Sequence, residues 1–122
     1  MQGTVSMHEL RPTYRFGPYL LDVNHRMLFT GSTARPITEK LFQMLLLLLD
    51  ADGGVVSKET FSTHVWPDEI VSDANLGQHI FMLRQLLRER AADNAYVITV
   101  AGKGYRFAVP VERKTGLGMK GS

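Results

Sequence analysis

What most narrows the fold of this chain is an order of signals. Three successive segments open on residues that cap helices, Thr38, Ser57 and Asp73, and short clusters of β-forming residues lie on either side of them. After Thr38 comes Glu39, a carboxylate that complements the positive end of a helix dipole. Leu41, Leu45, Leu48 and Leu49 then recur at helical spacing, which predicts a helix over 39–52. The additional leucines at 46 and 47 imply burial on more than one side. Gly53-Gly54 stops this segment, Val55 and Val56 form an extended link, and Ser57 opens a short helix over 58–65 with Phe61 and Val65 facing inward. Pro67 ends it. From Ala74 to about Arg90 a longer helix is predicted, on which Leu76, Ile80, Leu83 and Leu87 (i, i+4, i+7, i+11) fall on one narrow apolar stripe.

The flanking clusters read as strands. Tyr14 and Phe16, then Tyr19 to Leu21 with Val23, then Met27 to Phe29 are separated by Gly17-Pro18 and Asn24-His25, the punctuation of tight turns. Gly31 to Pro36 is a polar turn-like stretch, and residues 35–37 are expected to close a small antiparallel sheet. Beyond the third helix, Tyr96 to Val100 and Tyr105 to Val109 are two further β-forming runs. Ala101-Gly102-Lys103-Gly104 joins them, a glycine-containing link of the kind that closes a hairpin. The ten residues from Arg113 hold three glycines and three basic side chains, and are expected to form a flexible linker or tail. The expected organisation is a flexible N-terminus over 1–13, one domain over 14–111, and a tail over 112–122. No internal repeat is visible.

Composition removes several function classes. A chain of 122 residues can bury a conventional apolar core as one domain, and the absence of cysteine excludes disulfide frameworks, zinc-thiolate sites and cysteine nucleophiles. The longest apolar run, Met44 to Leu49, is six residues, against roughly 20 for a bilayer span, and the first twelve residues lack the apolar core of an export signal. A cytoplasmic setting is therefore expected, with no membrane contact by this segment. His8, His25, His64 and His79 show no metal-ligand spacing. Gly102-x-Gly104 precedes a strand, the wrong element for a dinucleotide fingerprint, and no nucleophile elbow is present. No enzyme, cofactor or metal site is predicted. Charge is polarised: residues 1–72 hold six Lys or Arg against eight Asp or Glu, net −2, and residues 73–122 hold eight against four, net +4. Such a distribution can present a cationic face to a polyanion, and it is also common on ordinary solvated surfaces.

A short helix, a turn, a longer amphipathic helix and a glycine-tipped hairpin make a winged helix-turn-helix pattern. The physical logic is direct, because a helix roughly 10 Å across fits the major groove of a duplex and a hairpin beside it reaches the backbone or minor groove. Thr38-Glu39-Lys40-Leu41-Phe42, Val55-Val56-Ser57-Lys58, Val65-Trp66, the run from Asn75 to Arg84, and Ile98-Thr99-Val100-Ala101-Gly102-Lys103-Gly104-Tyr105-Arg106-Phe107 resemble the DNA-binding domain of OmpR/PhoB-type transcription regulators over about residues 14–110. The resemblance implies an α+β fold: a four-stranded N-terminal antiparallel sheet, a three-helix bundle and a C-terminal hairpin wing. It implies that the third helix enters the major groove through Ala74, Asn75, Gln78, His79, Phe81, Met82 and Gln85, with Arg84 near the phosphates and Lys103 at the wing tip. It makes Pro67, Asp68, Glu69, Ile70, Val71 and Ser72 a loop facing RNA polymerase, and head-to-tail homodimers on DNA a further expectation. The ToxR- and CadC-like subgroup, in which this domain comes first and a linker, membrane segment or sensor follows, fits the short N-terminal stretch and the glycine-rich basic tail.

Helical geometry supports part of this assignment independently. Asn75, Gln78, Met82 and Gln85, at i, i+3, i+7 and i+10, lie opposite the apolar stripe. Asn and Gln carry the donor and acceptor pair suited to adenine, and Met suits a thymine methyl; on an isolated helix the same residues would simply be a solvated face. Where many members of the family carry arginines, this chain has Phe81 and Met82. Phe81 is expected to pack laterally against the wing or the sheet, or else to mark a surface for another protein. Arg84 is open to phosphate contact or to pairing with Asp73 or Glu89, Arg106 to phosphate contact or a structural ion pair, and His79 to phosphate donation or plain packing. Trp66, before Pro67, is expected to anchor the core or the loop. The competing reading is a protein-interaction module on the same fold.

Overall fold

The computed structural model describes residues 12–88 and 96–115, which fall into two units, 12–36 with 111–115, and 37–110. The first unit is an antiparallel sheet of β1 (Pro12–Phe16), β2 (Tyr19–Asp22), β3 (Met27–Thr30), β4 (Thr33–Arg35) and, at the far end of the chain, β7 (Glu112–Thr115), in the order β4-β3-β2-β1-β7. The alternation in the sequence sets its buried face. Tyr14 lies opposite Leu21, Phe16 opposite Tyr19, and Leu21 opposite Leu28, and all five side chains are buried. The Phe16 and Tyr19 rings stack with centroids 5.6 Å apart.

Two expectations are corrected in this unit. The tail expected to be flexible from residue 112 contributes β7, paired with β1 through Thr13 to Lys114 and Tyr14 to Arg113, so the sheet has five strands rather than four and β1 begins at Pro12, inside the stretch expected to be a flexible N-terminus. The closing strand is Thr33–Arg35, not residues 35–37. The expectation for residues 116–122 lies outside the described residues.

The second unit holds α1 (Glu39–Asp50), α2 (Lys58–Val65), α3 (Asp73–Leu86) and the hairpin of β5 (Val97–Val100) and β6 (Gly104–Phe107). Each helix starts on a hydroxyl: Thr38 accepts from the Leu41 N–H, Ser57 from the Thr60 N–H and Ser72 from the Asn75 N–H. Asp73, expected as the third cap, is instead the first helical residue, because Ser72 has the extended backbone that aims its Oγ at the Asn75 amide, while the Asp73 carboxylate complements the dipole. The first helix ends at Asp50 rather than 52, where Ala51 and the left-handed Asp52 turn the chain. The third ends at Leu86 rather than near Arg90, since Arg88 has a φ of 53° and leaves the helical path; Arg90 itself lies outside the described residues. The core of this unit gathers Leu41, Phe42, Met44, Leu45, Leu48 and Leu49 of α1 with Phe61, Val65, Leu76, Ile80, Leu83, Leu87 and Phe107. The result is the α+β winged helix-turn-helix that the order of signals predicts.

Candidate nucleic-acid interface

The stripe on α3 decides what its other side can do. Leu76, Ile80, Leu83 and Leu87 are buried, as their spacing requires. Ala74, Asn75, Gln78, Met82 and Gln85 are consequently exposed, forming a strip of one methyl, three carboxamides and one thioether. Phe81 joins them at 52% exposure, so the expectation that it packs laterally does not hold; the apolar stripe already fills the inward face and leaves Phe81 outside it.

Two further candidates on α3 are engaged within the unit. The Arg84 guanidinium forks onto β5, with Nε 3.1 Å and Nη2 2.9 Å from the Val97 carbonyl and Nη2 3.1 Å from the Thr99 hydroxyl. It ties the helix to the hairpin; Asp73, one of the partners open to it on sequence grounds, is instead held by Lys58 in an ion pair. His79 is half-buried, its Nδ1 2.9 Å from the Asn75 carbonyl and its ring edge-on to Trp66 with centroids 4.9 Å apart. Trp66 is buried at the end of α2, and the Lys40 ammonium, which also donates to the Val65 carbonyl, lies 5.5 Å from its ring centre. It is an anchor, as expected.

The hairpin owes its shape to two glycines. Lys103 N–H closes the turn onto the Val100 carbonyl at 2.9 Å, with Gly102 at φ 73° and Gly104 at φ 147° on either side of the exposed lysine. Gly104 also permits a close approach. Val56 and Tyr105 exchange two backbone hydrogen bonds, at 2.7 and 3.0 Å, and a Cβ on Gly104 would stand 2.1 Å from the Val56 carbonyl oxygen. That bridge hangs the wing on the link between α1 and α2. Arg106 lies opposite Ile98 and is half-buried.

One groove of about 320 Å³ brings these pieces together. It is lined by Lys58 and Glu59 of α2, Asp73 and Leu76 of α3, and Lys103 with its flanking glycines on the wing. The lysine of the hairpin and the start of α3 therefore border the same space. In the connecting loop Pro67, Asp68, Glu69, Ile70 and Ser72 are exposed, Ile70 at 97%, while Val71 is buried and pins the loop from below.

Sequence reasoning missed Lys58 and the Val56 bridge. Lys58 sits 15 positions before Asp73, beyond any helical periodicity, and only the turn of the chain brings the two together. The β-branched pair Val55-Val56, read as an extended link, was the available signal for the bridge. Among the described residues no group of acidic or histidine side chains is placed to hold a metal, and no helix is long and apolar enough to cross a membrane.

The comparisons with known proteins agree with this architecture. Residues 32–107, from the last hairpin of the sheet to the end of the wing, match the family described as "Transcriptional regulatory protein, C terminal". The chain is 34% identical to the transcriptional regulator HilA of Salmonella typhimurium over 96 residues, 79% of this chain but 17% of HilA, so it spans about a sixth of that relative. In fold it is similar to the DNA-binding domain of Escherichia coli CadC, with a TM-score of 0.71 at 24% identity over 84% of this chain and 97% of that one. It is also similar to the Klebsiella pneumoniae RstA DNA-binding domain solved in complex with the RstA box, with a TM-score of 0.67 at 24% identity over 79% and 96%. With capped helices, wing glycines and the apolar stripe of α3 all falling inside the matched span, the chain belongs to the transcriptional regulatory protein C-terminal family, the OmpR/PhoB-type winged-helix domains.

Proposed function

We propose that α3 and the wing bind double-stranded DNA and read its sequence, as the DNA-binding part of a bacterial transcription regulator acting in the cytoplasm. One observation carries the reading: the strip of Ala74, Asn75, Gln78, Met82 and Gln85 is exposed opposite a fully buried stripe, and Lys103 borders the groove where that helix begins. The strip is sized for a major groove and offers paired donors and acceptors to base edges. Lys103 and Arg106 supply charge to the sugar-phosphate backbone, which positions without specifying. Arg84 and His79 act on DNA through neighbours, Arg84 by fixing β5 and His79 by bracing the first turns of α3 on Trp66. The RstA DNA-binding domain, of the same fold, is itself solved in complex with the RstA box.

The exposed loop from Pro67 to Ser72, with Ile70 offered to solvent, is the surface proposed to face RNA polymerase, and head-to-tail pairing on repeated sites is the proposed assembly on DNA. A protein-interaction module on the same scaffold is the second reading, favoured by the exposure of Phe81 and Met82. Fluorescence polarisation against random and promoter-derived duplexes separates the two. For about four to six phosphate contacts, log affinity should fall against log salt with a slope near −4 to −5. No binding at low salt assigns the strip to a protein partner instead.

A further inference from the structure

We infer that the α3 strip selects A·T over G·C base pairs in the major groove, with thymine methyl groups against Phe81 and Met82. This inference rests on the DNA-binding reading above and names the bases that reading leaves open.

The argument is one of missing and matching donors. Guanine presents two acceptors, O6 and N7, and the side chains that satisfy both are Arg and Lys. From Asp73 to Leu86 the helix carries one cation, Arg84, and its Nε and Nη2 are spent on Val97 and Thr99 of β5. Among its residues the strip therefore offers no ammonium or guanidinium to a guanine. The imidazole on the helix is no substitute. His79 is edge-on to Trp66 and its Nδ1 lies 2.9 Å from the Asn75 carbonyl, so that nitrogen is engaged by the backbone of its own helix and not by a base.

What the strip does offer matches the other base pair. Adenine presents N7 beside N6–H, an acceptor next to a donor, which a carboxamide meets with its own donor and acceptor, and the strip holds three carboxamides, Asn75, Gln78 and Gln85. Thymine alone carries a methyl group in the groove. Phe81 and Met82, consecutive on the helix and exposed at 52% and 36%, place apolar surface in water that a methyl would cover.

The test selects bound sequences from random duplexes and then measures affinity at fixed salt for variants of the recovered site. Exchanging a contacted A·T pair for G·C should weaken binding about tenfold. Replacing a contacted thymine by uracil removes one methyl and changes no protein atom, and should weaken binding about fourfold. Phe81→Ala and Met82→Ala, with folding checked by circular dichroism, should weaken binding to the thymine site about fourfold, to the level of the uracil site, and so abolish the thymine-uracil difference. Gln78→Arg should move the preference at one position towards guanine. Recovered sites whose essential bases are guanines, or equal affinity for thymine and uracil, would each overturn the inference and leave the DNA-binding reading standing, whereas binding without base preference would overturn the inference and the sequence reading together. No binding to any duplex at low salt would overturn both.

Discussion

α1 and α3 start alike and end as different objects. Each opens on a hydroxyl cap with an acid in its first turn, and they run to 12 and 14 residues. α1 buries six of its residues and α3 only three. The large apolar side chains Phe81 and Met82 of α3 are exposed to solvent. Leucine density thus separates a helix that holds the unit together from one that leaves its outer face in water.

The largest effect that tests this contrast is on stability. Leu48→Ala, at a position with no exposure, leaves a cavity beneath α1 and should cost about 2–5 kcal/mol in chemical denaturation. Gln85→Ala, on the exposed face of α3, should stay within about 0.5 kcal/mol. Comparable losses from the two would mean that the outer face of α3 supports the core as strongly as α1 does.

A smaller effect is expected where the wing hangs on the rest of the unit. Gly104→Ala drives a methyl into the Val56 carbonyl at a φ that L-residues rarely adopt, and should cost about 3 kcal/mol, whereas Gly102→Ala, with open space around it, meets only the φ penalty of about 1 kcal/mol. Thermal melts of the two variants give the comparison. If the Val56 bridge holds the wing in its working position, Gly104→Ala also weakens binding to every duplex alike.

The helices and the wing were legible because their signals are local: a cap, a period, a stop, a glycine pair. The features that escaped depend on partners far along the chain. β7 reads as tail because Glu112 to Thr115 has neither an apolar alternation nor a turn before it, and it becomes a strand through pairing with β1 about a hundred residues earlier, where the Arg113 guanidinium lies 5.7 Å from the Tyr14 ring centre. The choice between Ser72 and Asp73 turned on one ψ angle, since both residue types cap. Asn75, Gln78, Met82 and Gln85 of the outward strip followed from helical geometry and Ala74 from the family resemblance, while the apolar character of Phe81 argued for packing that the stripe had no room to give. The tie from Arg84 to β5 was not legible, because a surface arginine carries no mark of the backbone carbonyl waiting for it 13 positions on.

The finest test divides labour within the proposed interface. Gln78, in the middle of the strip, meets base edges if the helix lies in the major groove, so Gln78→Ala should relax preference at one base pair by about 1–3 kcal/mol and leave affinity for unrelated duplexes nearly unchanged. Lys103 is a point charge on a rigid turn, with no geometry to distinguish one base from another. Lys103→Ala should therefore weaken all duplexes similarly and reduce the magnitude of the salt slope by about one. Salt titrations on the selected site and on a scrambled duplex, run with both variants, read the two effects separately. A salt slope that Lys103→Ala leaves unchanged, or a Gln78→Ala loss that is the same on every sequence, would mean that helix and wing do not split reading from gripping, and α3 would lose the role that its exposed half assigns to it.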